Sequence, residues 1–186
     1  MYEGIEVAAA NPAEQKQIIC QCDGGYSPVH RLGMWCFIID DNKPTHGFIE
    51  DTHSLLSCNV MEYMAVINLL KSVESGARLL VRSDSKLVVN QLTLQWKINF
   101  DHLVELFNEA RSIIEENKLH VAFEWVSREN NLAGKFIERN QVQWFRERRK
   151  YHAKPSESVK PAKIESFLEA SVEPSKPSVK PAEVSS

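Results

Sequence analysis

No run of apolar residues in this 186-residue chain approaches the ~20 needed to cross a bilayer as a helix. The first seventeen residues, MYEGIEVAAANPAEQKQ, lack the basic and apolar regions of a secretory leader. A cytoplasmic protein with no membrane partner is therefore expected. An excess of one charge sign is also missing: 22 Lys and Arg against 25 Asp and Glu give a net charge of -3. That excludes a uniformly basic nucleic-acid coat and leaves room for a local basic patch. Paired C-x-x-C knuckles are absent, so zinc is not expected. Cys20, Cys22, Cys36 and Cys58 read instead as small buried thiols, the first two on one face of a strand.

What is present can build a core: 43% of residues are apolar and 25% charged, the balance of a soluble globular domain. The composition changes near residue 151. Residues 151–186 hold five of the eight prolines and no glycine, and Ser-Val-Lys-Pro-Ala occurs at 158–162 and again at 178–182. Such a segment buries too little apolar surface to offset its ordering entropy and reads as a disordered tail. Within it Ile164, Phe167 and Leu168 share a helical face, either a docking motif for a protein partner or a transient helix with none. The division is thus an N-terminal extension over 1–16, a folded domain over 17–150 and the tail over 151–186.

Residues 17–23 read as a strand ended by Gly24-Gly25, followed by strands at 33–40 and 45–50 with a turn around Asp41-Asn42 between them. Helical spacing occupies 59–75. Strands at 77–83 and 119–126 alternate with helices at 85–94, 101–117 and 131–150. The order β-β-β-α-β-α-α-β-α, hairpins first and strand-helix alternation after, implies an α/β fold: a mixed five-stranded sheet flanked by helices.

Three carboxylates sit where a core does not want them. Asp23 closes the first strand before two glycines, and Asp84 closes the fourth. In α/β sheets, ligands gather at strand carboxyl ends. Glu62 shares a helical stripe with Cys58, Ala65, Val66, Leu69 and Val73, where a carboxylate is unfavourable unless a cation compensates it. Each has a plainer reading alone: a turn for Asp23, a solvated stripe edge for Glu62, a helix cap for Asp84. Together they suit a hard cation with room for a substrate phosphate, and two ions ~4 Å apart can activate water and stabilise a leaving oxygen.

Cys22-Asp23-Gly24-Gly25, Asn59-Val60-Met61-Glu62-Tyr63-Met64-Ala65, Ser83-Asp84-Ser85-Lys86-Leu87-Val88-Val89-Asn90-Gln91-Leu92, Trp96-Lys97 and Val126-Ser127-Arg128-Glu129-Asn130-Asn131 follow one another in an order that resembles type 1 ribonuclease H, of the ribonuclease H-like superfamily. The resemblance covers roughly residues 17–140. It implies a monomeric endonuclease that cleaves RNA within RNA–DNA hybrids with magnesium or manganese. Asp23, Glu62 and Asp84 would be the catalytic metal ligands, and Gly24, Asn59, Asn90, Trp96 and Lys97 would contact substrate. Asn59 would lie near the minor groove, where the 2′-hydroxyl separates RNA from DNA.

The sequence departs from that family where a fourth carboxylate opens the last helix, because Lys135 stands in its place. Glu138, one turn later, could reach back as a ligand, and Lys135 could instead meet a phosphate. A third outcome is a non-catalytic nucleic-acid-binding module that keeps the fold. The family's mobile histidine is also missing. Arg128-Glu129 occupies that stretch, where Glu129 reads as a surface partner of Arg128. The basic run Arg139, Arg146, Arg148, Arg149 and Lys150 suits a helix C-terminus.

Overall fold

The computed structural model describes residues 16–40, 42–52 and 55–152. The expected N-terminal extension up to residue 15, and the tail from residue 153 with Ile164, Phe167 and Leu168, lie outside the described residues. The elements follow the expected order: β1 (Ile18–Ser27), β2 (Leu32–Ile39), β3 (Thr45–Glu50), α1 (Cys58–Lys71), β4 (Arg78–Ser83), α2 (Lys86–Leu92), α3 (Asp101–Glu116), β5 (His120–Trp125) and α4 (Leu132–His152). One sheet forms in the order β3-β2-β1-β4-β5. β1, β2 and β3 make an antiparallel meander, while β4 runs parallel to β1 and β5 parallel to β4. Parallel neighbours need long crossovers, which α1 supplies before β4 and α2 with α3 before β5.

Side-chain alternation splits the core in two. Leu32, Met34, Cys36 and Ile38 of β2 point to one face, where Ala133 and Ile137 of α4 cover them. Cys20, Cys22 and Phe37 point to the other, under α1 and α3. α1 is buried almost all round: Met61, Ile67, Leu69 and Leu70 have no exposed surface. Truncating any of these large aliphatic side chains to alanine is expected to cost about 2–5 kcal/mol. Among the described residues no helix is long and apolar enough to cross a membrane.

The structure corrects four expectations. β1 does not stop at the glycines. It continues to Ser27, pairing Gly24 with Trp35 and Gly25 with Met34. Gly24 serves close approach of backbone, because a Cβ there would stand 2.1 Å from the Met61 carbonyl carbon in α1. α1 ends at Lys71 rather than residue 75, since the Ser72 N–H and hydroxyl both bond to the Leu69 carbonyl. α4 runs two residues past 150, to His152. Cys58 is exposed at the start of α1, unlike the other three thiols.

Candidate active site

The parallel ladder between β1 and β4 ends with Gln21 opposite Arg82. Beyond it Asn131, fully buried at the mouth of α4, does the joining. Its side-chain N–H group donates to the Cys22 carbonyl (3.0 Å) and to Asp84 Oδ1 (2.5 Å). Its Oδ1 accepts from the Ala133 N–H (3.2 Å), capping α4. Gln21 Oε1 accepts from the Leu132 N–H (2.6 Å), so β1 and Asn131 together satisfy the first donors of this helix.

Three elements bring the three acids to this end of the sheet. Asp23 is buried within β1. Gly134 lets the first turn of α4 lie over it, since a Cβ there would stand 3.0 Å from Asp23 Oδ2. Glu62 projects from α1, and its Oε2 accepts from the Ser85 hydroxyl (2.5 Å). Asp84 follows β4 directly. It is not the cap of α2, because Ser85 accepts from the Val88 N–H (3.3 Å) in that role. The Trp125 indole N–H donates to the Asp84 carbonyl (3.0 Å) and pins its peptide to the edge strand.

Burial and mutual repulsion mark the cluster. The Asp23 carboxyl is pushed up to about 7, first by burial and then by the Asp84 charge, with Arg128 opposing and Glu62 adding. Glu62 is also raised to about 7, by burial first; the Ser85 hydrogen bond opposes and Asp84 adds. Burial, followed by the charge of Asp23, raises the Cys22 thiol well above its ordinary value, so it is no nucleophile. Asp23, Gly24, Glu62, Arg128 and Glu138 line a cleft of about 360 Å³, with the exposed Cys58 at its edge.

The donor set fits a hard divalent cation by its chemistry: three carboxylates, two of them desolvated, lining an open cleft and raised further by the charge of the third, Asp84. As placed, however, no three His, Cys, Asp or Glu side chains among the described residues stand close enough to share one ion. The reason is visible in their partners. Asp84 Oδ2 is 3.0 Å from Arg128 Nη1, its Oδ1 is on Asn131, and Glu62 is on Ser85.

The remaining expected residues are dispersed. Asn59 is half-buried in the first turn of α1, and the Asn90 amide donates to the Lys86 carbonyl (2.7 Å) within α2. Trp96 and Lys97 are exposed on the connection from α2 to α3. Lys135 does not line the cleft, and its charge faces Glu129. Glu138 does line it, bound to Arg128 Nε (2.7 Å). The expected Arg128–Glu129 pair is not formed. Arg128 pairs with Asp84 and Glu138, while Glu129 bonds to Ser127. Arg148 pairs with Glu50 of β3 (2.7 Å) rather than standing free at the helix end. Arg128, Asn131 and Ser85 are partners that sequence reasoning did not assign. Asn131 carried a legible signal, a capping residue before an apolar helical pattern. Arg128, 44 residues from Asp84, carried none.

Residues 21–136 match the reverse transcriptase-like family. None of the curated proteins compared with the chain matches it. Among solved structures, the chain resembles LC11-RNase H1, isolated from compost by a metagenomic approach and solved in complex with an RNA/DNA hybrid. The two are 25% identical with a TM-score of 0.52, over 62% of this chain and 88% of that one. The N-terminal RNase H domain of a Mycobacterium tuberculosis protein shares 22% identity and a TM-score of 0.54, over 69% of this chain and 98% of that one. RNase H1 from the halophilic archaeon Halobacterium salinarum NRC-1 shares 20% identity with a TM-score of 0.51, over 69% and 98%. The likenesses below 25% identity concern the fold.

Proposed function

Since the chain belongs to the reverse transcriptase-like family, within the ribonuclease H-like superfamily, we propose that it is a metal-dependent endonuclease hydrolysing the RNA strand of RNA–DNA hybrids. The observation that carries this reading is that Asp23 of β1 and Glu62 of α1 line one cleft, and that the charge of Asp84, just past the end of β4, acts on both. The Asp84 charge that favours a proton on Asp23 and on Glu62 also favours a magnesium or manganese ion beside them. When bound, such an ion would polarise the scissile phosphate and supply activated water.

The chain's own groups have defined parts in this reading. Asp23, Glu62 and Asp84 hold the cation. Ser85 orients Glu62, and Asn131 with the Trp125 indole fixes Asp84. Burial of Asp23 strengthens every charge interaction at the site. Trp96 and Lys97, exposed on one connection, offer an aromatic face and a cation to a nucleic-acid strand. Asn59 opens α1 beside the cleft-lining Cys58, as a reader of the 2′-hydroxyl.

Asp84 held by Arg128, and Lys135 in place of a fourth acid, favour a second reading: a nucleic-acid-binding module without catalysis. The deciding experiment is cleavage of an end-labelled RNA–DNA hybrid by the purified chain with magnesium and then manganese, with Asp84→Asn as control and duplex DNA and RNA as competitors. RNA-strand cuts that vanish in the variant support the hydrolase. Hybrid binding without cuts in either metal selects the binding module.

A further inference from the structure

Arg128 is placed unlike an ordinary surface cation. One turn of 3₁₀ helix, Arg128–Asn130, leads from β5 into α4. From it the guanidinium reaches back to Asp84 Oδ2 (3.0 Å, through Nη1) and across to Glu138 Oε1 (2.7 Å, through Nε). Its charge is also felt by Asp23 and Glu62, lowering the proton affinity of both. It lines the same cleft as those two acids. The space between Asp84 and the first turns of α4 is therefore occupied by a fixed positive charge. Lys135 of that turn faces Glu129, and Glu138, the acid of α4 that does line the cleft, is already neutralised by the same arginine.

We infer that Arg128 is the resident cation of this second position, and that the site accordingly binds one divalent ion rather than two. The inference rests on the proposed metal-binding reading of Asp23, Glu62 and Asp84. A guanidinium does not lose its proton in the accessible pH range, so this positive charge is permanent. A second divalent ion between Asp84 and Glu138 would meet that charge directly and would have to displace two charge-assisted hydrogen bonds. One ion at the three acids would draw Glu62 from the Ser85 hydroxyl, a neutral partner, and need not break the Arg128 pair. Each carboxylate oxygen has two lone pairs, so Asp84 can keep Arg128 and Asn131 and still offer a ligand.

The test is an ion count on the full chain at pH 8, with manganese alone as the probe. Free manganese is read by electron paramagnetic resonance and bound ion by equilibrium dialysis. The wild-type chain is expected to bind one ion. Arg128→Gln, which frees Asp84 and Glu138, is expected to bind two. Arg128→Lys, which keeps the charge, is expected to stay at one. Far-UV circular dichroism confirms that each variant is folded, as a half-exposed side chain predicts. Two ions in the wild type, none in the wild type, or a single ion in folded Arg128→Gln would each overturn the inference. Hybrid cleavage measured on the same samples separates the two levels. Two ions with cleavage intact sinks only the inference, whereas one ion without any cleavage sinks only the hydrolase reading.

Discussion

The side-chain amide of Asn131 stands 2.5 Å from Asp84 Oδ1, and the same nitrogen is 3.0 Å from the Cys22 carbonyl. One buried group thus ties the middle of β1 to the acid that follows β4, at the point where the ladder between those strands has stopped. Asn131→Ala would leave a buried backbone acceptor unpaired, which is expected to destabilise the domain by about 1–3 kcal/mol. Hybrid cleavage should fall as well, because Asp84 loses a fixed partner. Urea unfolding and a cleavage assay check both, and an unchanged midpoint would show that the tie carries no weight.

Asp23 and Glu62 rise to about 7 from ordinary values of 3.8 and 4.5. The folded chain therefore holds these protons more tightly than the unfolded chain does. The stability they contribute is complete below ~pH 4 and is lost as pH rises through 7. For protein stripped of metal, the melting temperature should fall between pH 5.5 and 8. Asp23→Asn should flatten that decline, and added manganese should reverse it, because a bound cation favours the ionised acids. Scanning calorimetry at four pH values decides. A melting temperature that climbs with pH would contradict the electrostatics described above.

Gly24→Ala is expected to disrupt the domain. Its Cβ would stand 2.1 Å from one Met61 backbone atom and 2.2 Å from the Glu62 nitrogen, and a helix backbone cannot yield as a flexible side chain does. A loss above about 3 kcal/mol is expected. Since Glu62 sits on the same turn of α1, any folded remainder should also cleave poorly. A variant that unfolds at the wild-type urea concentration would show that α1 can shift without consequence.

Thiol chemistry offers a simple check on burial. Cys58 is exposed, while Cys20, Cys22 and Cys36 are buried and their thiols are raised by burial. One thiol per chain should react with Ellman's reagent under native conditions, and four after denaturation. Two or more fast-reacting thiols in the native chain would mean that a core face opens.

Much of this was legible in the residues. Alternation in QIICQC and GMWCFIID, and the periodicity of residues 59–75, gave the element order, because burial on one face imposes a period that survives without knowledge of partners. Where the reading slipped, a local signal carried two meanings. Gly24-Gly25 reads both as a strand end and as a place of close approach, and only the second holds, since β1 runs on to Ser27 and α1 rests on Gly24. The stripe through Cys58 ran past the N-terminal end of the buried part of α1, because the periodicity of a helix does not record where its packing partner begins.

The site divides in the same way. Asp23, Glu62 and Asp84 were visible because a carboxylate at a strand end or on an apolar stripe is energetically conspicuous from its neighbours in sequence alone. Their partners were not. Arg128 and Asn131 lie 44 and 47 residues from Asp84, and Ser85 lies 23 from Glu62. The sequence by itself determined the elements, their order and the acids that do not belong in a core. Only the tertiary structure decided which cation and which amide hold those acids, because hydrogen bonds and charge pairs between distant residues depend on where the sheet brings the strand ends, and no local pattern encodes that meeting.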